Sequence, residues 1–106
     1  MIYKFDFPTN VSFNFIHLVN NIQHKIHVLY NSYDDTYYMN IDKFEDGKYK
    51  NILNSIRVTL GINLFLQYNY YNLGSFFVIP TTSKVYRNDP KASTIKDNYF
   101  ILWEHN

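Results

Sequence analysis

The chain has 106 residues, 46% of them hydrophobic and 18% charged, which excludes a disordered polar chain and fits a single domain, residues 1–106, around one modest core. A formal net charge of +1, with Lys scattered singly and only Arg57 and Arg87 able to grip phosphate bidentately, argues against nucleic-acid and membrane partners. The absence of Cys excludes disulfides, thiolate metal sites and Cys nucleophiles.

The N-terminal residues Met1 to Asp6 lack the apolar core of a signal peptide, and no apolar run approaches the length of a membrane span, so synthesis in the cytosol is expected. Val11 to Tyr30 then predicts a hairpin. Val11, Phe13, Phe15, His17 and Val19 alternate with polar and aliphatic residues, as do Ile22, His24, Ile26, Val28 and Tyr30. A two-residue turn at Asn20-Asn21 would place Val19 opposite Ile22, His17 opposite His24, Phe15 opposite Ile26, Phe13 opposite Val28 and Val11 opposite Tyr30. Asn tolerates the positive φ that such turns need, so turn chemistry and apolar register agree.

Asn31 to Thr36 reads as a loop, and Tyr37 to Phe44 as a strand with Tyr37, Met39 and Ile41 on one face. Asp46-Gly47 marks the next hairpin turn. Tyr49 to Leu60 alternates less cleanly, Gly61 breaks the run, and Asn63 to Tyr71 reads as another strand, with Leu64, Leu66, Tyr68 and Tyr70 on one side. After Asn72 to Ser75, the apolar strand Phe76 to Ile79 stops at Pro80 or lies at a sheet edge. Thr81 to Asn98 is irregular, with Asp89-Pro90 and room for a helical turn near Ala92 to Lys96. Tyr99 to Glu104 closes the chain as a strand. Tyr and Phe favour strands and Ala92 is the sole Ala, so the expected class is all-β: a small antiparallel β-sandwich or partly open β-barrel, with at most one short helical turn.

Chemistry finds little foothold. His17 and His24 would face each other across the hairpin, but Zn²⁺ or Cu²⁺ needs three or four ligands; His27 points to the other face and His105 lies at the far end of the sequence. The pair is expected to be scaffold, with no metal and no cofactor. Asp34, Asp35, Asp42, Glu45 and Asp46 lack the spacing of a calcium loop and read as solvated turns. No Gly-x-Ser-x-Gly elbow or phosphate-cradling glycine loop is present, and no catalytic residue is assigned.

Aromatic residues are the one excess, at 20% of the chain with 11 Tyr and 9 Phe. A small core buries only part of them, and Tyr33, Tyr37, Tyr38, Tyr68, Tyr70 and Tyr71 are the candidates for a surface role. Exposed Tyr suits protein interfaces, since it combines a rigid apolar area with a hydrogen-bonding tip. The same residues also suit a carbohydrate- or receptor-binding β-sandwich, the alternative function. Such a module would present one aromatic platform; an assembly subunit would present aromatic patches on more than one face. A small cell-wall hydrolase is a third alternative, disfavoured by the missing nucleophile and metal motifs.

The order of these signals resembles the baseplate plug proteins of contractile phage tails and related particles. The landmarks are the Phe13 to Tyr30 hairpin, the Tyr37-Tyr38-Met39-Asn40-Ile41-Asp42 strand and the Gly61-Ile62-Asn63-Leu64 connection. Asp89-Pro90 and the closing Asn98 to Trp103 strand complete them. Order and spacing over nearly the whole chain carry the resemblance, since each element alone is a common strand or turn. The chain departs from it in Asn20-Asn21, where the family has a more Gly-rich turn, and in its high Tyr and Asn content. The resemblance implies a non-enzymatic structural protein of the virion tail baseplate, assembled in the host cytoplasm. It implies a plug or adaptor at the distal end of the tail tube, touching hub, spike and tube proteins or copies of itself.

Overall fold

The computed structural model describes residues 1–7, 11–34, 36–59, 61–80 and 99–106, with Asn69 and Pro80 described by their backbone alone. Asn20 and Asn21 both take positive φ, 54° and 63°, so the turn has the left-handed pair of residues that matches strand twist. It joins β2 (Phe13–Val19) to β3 (Ile22–Asn31), with Val19↔Ile22, His17↔His24, Phe15↔Ile26 and Phe13↔Val28 paired as the alternation predicts. Val11 does not pair with Tyr30. The ladder starts at Phe13, because the Tyr30 N–H donates to Ser12 Oγ at 2.9 Å and the chain leaves the sheet there.

Strand β4 (Thr36–Glu45) pairs with β3, and Asp46-Gly47, with φ of 54° and 79°, turns it into β5 (Lys48–Arg57). The uneven alternation of β5 has a physical origin. Register slips between Met39 and Ile41 and again between Ile41 and Asp42, so β5 carries bulges. Ser55 sits at φ 56°, its N–H donating to Asn40 Oδ1 at 2.8 Å. Leu53, Ile56 and Val58 can therefore all be buried despite their uneven spacing.

Asn63 to Tyr71 is not a strand. Leu66–Tyr71 is a 3₁₀-helix, kinked at Tyr68. Asn63 Oδ1 accepts the N–H of Phe65 and of Phe76, each at 3.0 Å, which curls the chain and moors it to β6 (Ser75–Pro80). The inward residues Phe65, Tyr68 and Tyr71 then fall at the three-residue period of this helix, while Leu66 and Tyr70 are exposed. Strand β7 (Tyr99–Glu104) has the predicted bounds, and the irregular stretch with a helical turn expected within residues 81–98 lies outside the described residues. One element was not predicted: β1 (Ile2–Asp6), whose five residues are too few and too mixed with Lys4 and Asp6 to stand out.

The strands form two antiparallel sheets, β2-β3-β4-β5 and β1-β7-β6, not closed into a barrel. Their facing sides share a core of Ile26, Val28, Tyr37, Met39, Ile41, Phe76, Val78, Ile101 and Trp103, among others. Trp103 is its largest fully buried side chain; its Nε1–H donates to Leu73 O at 2.6 Å, so the indole is buried without an orphan donor.

Candidate interaction surfaces

The six candidate tyrosines do not form one platform. Tyr33 is fully exposed, at 100%, on the β3–β4 connection, its N–H donating to Asn31 Oδ1 at 2.9 Å. Tyr38 is half-buried beside it and donates its hydroxyl to Asp34 Oδ2 at 2.7 Å. The Thr36 and Tyr38 hydroxyls together hold the Asp34 carboxyl below its ordinary value. Tyr70 is 73% exposed, its ring 4.4 Å from that of half-buried Tyr71, whose hydroxyl donates to Ile52 O at 3.3 Å. Tyr68 is half-buried against the core. Tyr37 leaves the surface set altogether: it is fully buried, meeting Phe7 and Tyr30 with ring centroids 4.9 and 5.2 Å away. It shares its face of β4 with Met39 and Ile41, and that face is the core.

A further surface, with no exposed tyrosine in it, lies on the outside of the three-stranded sheet. Register sets Phe77 beside Leu102 and Ile79 beside Phe100, with Ile2 opposite Glu104 and Lys4 opposite Leu102 on the far edge. Ile2, Phe77, Ile79, Leu102 and Glu104 line a mostly apolar hollow of 220 Å³. Lys4 Nζ lies 4.4 Å from the Phe100 ring centroid and caps one corner with a cation. The signal was present in the sequence, since β6 and β7 are apolar at successive positions and such strands are usually covered on both faces.

The outside of the four-stranded sheet is chemically different. His27 Nε2 meets Asp42 Oδ2 at 2.9 Å, and Asn51 Nδ2 donates to the other carboxylate oxygen at 3.1 Å. Apolar exposure on this side is greatest on the edge strand β2, where Ile16 and Leu18 are each more than half exposed, and continues at Leu29 on β3 and Phe44 on β4. Apolar surface thus appears on both outer sides of the sandwich and at the Tyr33 and Tyr70 corners.

Between the sheets, three imidazoles meet at one end. His17 and His24 face each other across the hairpin as predicted, and His105, just beyond β7, brings its Nε2 to 2.7 Å from His17 Nε2. Tyr3 stacks on His105 with centroids 4.7 Å apart, and Tyr3, Phe5 and Trp103 surround His17 at 4.5, 5.1 and 4.9 Å. His24 Nδ1 donates to Ile22 O at 2.9 Å. Burial, then His105, then His24 lower the pKa of His17; burial is also the main cause lowering that of His24. Among the described residues, no group of three or more His, Cys, Asp or Glu is arranged to hold a metal. The role of His105 was not legible, because 88 residues separate it from His17 and only the packing of one sheet on the other brings them together.

A family model described as "Cyanophage baseplate Pam3 plug gp18" matches residues 2–106. No curated protein matches the chain.

Proposed function

The chain belongs to the family of phage baseplate plug proteins, and from that premise we propose that it stops the distal end of a contractile tail tube, seated as an adaptor among hub and spike proteins. Membership makes it a structural component of the virion tail baseplate, and a structural plug suggests a non-enzymatic role. The observation that carries the proposal is the extent of the match, residues 2–106, which also supports treating residues 1–106 as one domain.

The geometry supports an assembly subunit over a glycan-binding module. A glycan platform needs coplanar aromatic rings gathered on one face, whereas the exposed aromatics among the described residues are split between Tyr33 on the β3–β4 connection, Phe44 near the end of β4 and Tyr70 on the 3₁₀-helix. The apolar exterior of β1-β7-β6 suits burial against a neighbour, either another baseplate protein or a copy of the chain, and burial is where such contacts gain most of their free energy. Among the described residues, the edge strands β1, β2 and β5 add places for strand pairing, whereas the outer edge of β6 already accepts the N–H groups of Gly61 and Leu64.

Co-expression with the tube, hub and spike proteins of the same particle tests the proposal. The expected result is a stoichiometric complex on size exclusion, with density for the chain at the tube end by cryo-electron microscopy. A monomer that ignores those proteins, while particles lacking it still have closed tubes, would overturn it. Glycan-array binding by that monomer would install the carbohydrate module in its place.

A further inference from the structure

We propose that His17 and His105 form a proton-limited clasp between the two sheets, closed while at most one of the imidazoles is charged and opened when both are. His17 stands on β2, an edge of the four-stranded sheet, and His105 follows β7, the middle strand of the other. The His105 N–H donates to Met1 O, and the Met1 amino group donates to His105 O, both at 3.1 Å, so the clasp also holds the start of β1.

The hydrogen bonds assign the protons. His105 Nδ1 lies 2.9 Å from Asn106 O, an acceptor only, so this nitrogen carries hydrogen and, in the neutral ring, Nε2 is bare. His17 Nε2 must then donate across the 2.7 Å gap. With one ring charged, a single N–H···N bond still joins the two Nε2 atoms, now charge-assisted. With both charged, each Nε2 carries hydrogen and the two N–H groups meet head-on. The bond is lost and two like charges face each other inside an aromatic box.

Among the described residues the groups around the pair are mainly aromatic or cationic, apart from Asn106 O, 2.9 Å from His105 Nδ1. Tyr3 and the Met1 amino group approach from β1 and the residue before it, His24 from β3, Lys43 from β4 behind His24, and Trp103 from β7. Asp42 is engaged by His27 on the outer face, Glu45 sits at the β4–β5 turn with Lys43 and Lys50, and Glu104 faces outward. Strands β5 and β6 contain no acidic residue. Charge on the nearby cationic groups makes double protonation harder still.

The sign follows from the lowered values of His17 and His24. The unfolded chain, with imidazoles near the ordinary 6.5, binds more protons than the folded one, so stability is full above that pH and falls as the medium is acidified.

The test is imidazole ¹⁵N spectroscopy of the whole chain from pH 8 to pH 4.5, beside thermal unfolding of wild type and His17→Phe. At high pH, His17 should show a protonated Nε2 and His105 a bare one. Entry of the second proton should coincide with collapse of the amide signals of β2 and residues 103–105. The wild-type Tm should drop by about 5 °C or more between pH 7.5 and pH 5. The drop should be smaller in His17→Phe, where a ring still fills the box and no second N–H can face His105 Nε2. Both imidazoles charged at pH 5 with those amide signals unmoved would overturn the clasp. So would an equal acid loss in His17→Phe; if that variant does not fold, the wild-type spectra alone decide.

Discussion

A Cβ placed on Gly74 would lie 2.1 Å from Glu104 O and 2.8 Å from the His105 Cβ, at a backbone φ of +82° that side chains rarely adopt. Gly74→Ala must therefore push back β7 where it leads into His105, and the obstacle is backbone, not a yielding side chain. The expected loss is at least about 2 kcal/mol, measurable by denaturant unfolding. Gly47→Ala, with similar φ but nothing within 4 Å of the added carbon, should lose only the conformational part, about 1 kcal/mol. At this scale the sequence was informative where the determinant was local. His17 opposite His24 followed from turn length and period, and Tyr37 already shared a face with Met39 and Ile41. The error was to count Tyr37 among surface residues when the face it had been given was the core. What Gly74 and His105 do depends on strands distant in sequence, and nothing local announces it.

Among the elements, the two hairpins were legible because turn residues and alternation are independent signals that agreed. Asn20-Asn21 and Asp46-Gly47 both take positive φ, as their chemistry favours. The stretch Asn63 to Tyr71 misled because apolar residues at Leu64, Leu66, Tyr68 and Tyr70 match a strand, while its course is decided by one side chain that reaches across to β6. Asn63 accepts the N–H groups of Phe65 and Phe76 and donates to Ser75 Oγ at 3.2 Å. Asn63→Ala would strand two part-buried donors and should cost about 2–3 kcal/mol in chemical denaturation. Asn63→Asp keeps the acceptor and loses only the bond to Ser75, so a markedly smaller loss is expected. Equal losses in the two variants would mean that the amide acceptor does not moor this helix.

For the whole molecule, the all-β sandwich was legible from composition and turn spacing, but the pairing of β1 with β7 was not, since no short-range pattern encodes it. The apolar exterior of that sheet yields the clearest separation of folding from assembly. Phe77 faces outward beside Leu102, so Phe77→Lys should change monomer stability by no more than about 1 kcal/mol while abolishing co-elution with baseplate partners. A variant that still joins the complex would move the contact elsewhere. The strand order also has a consequence in time. Strands β2 to β5 pair only with neighbours in sequence, so each hairpin can close as soon as its second strand emerges during synthesis. The other sheet joins β1 to β7 across almost the entire chain, and before β7 arrives β6 has only its hydrogen bonds to Gly61, Asn63 and Leu64 among the described residues. Until then the nascent chain exposes an unfinished half-core, so the arrival of β7 releases the domain into its cooperative fold.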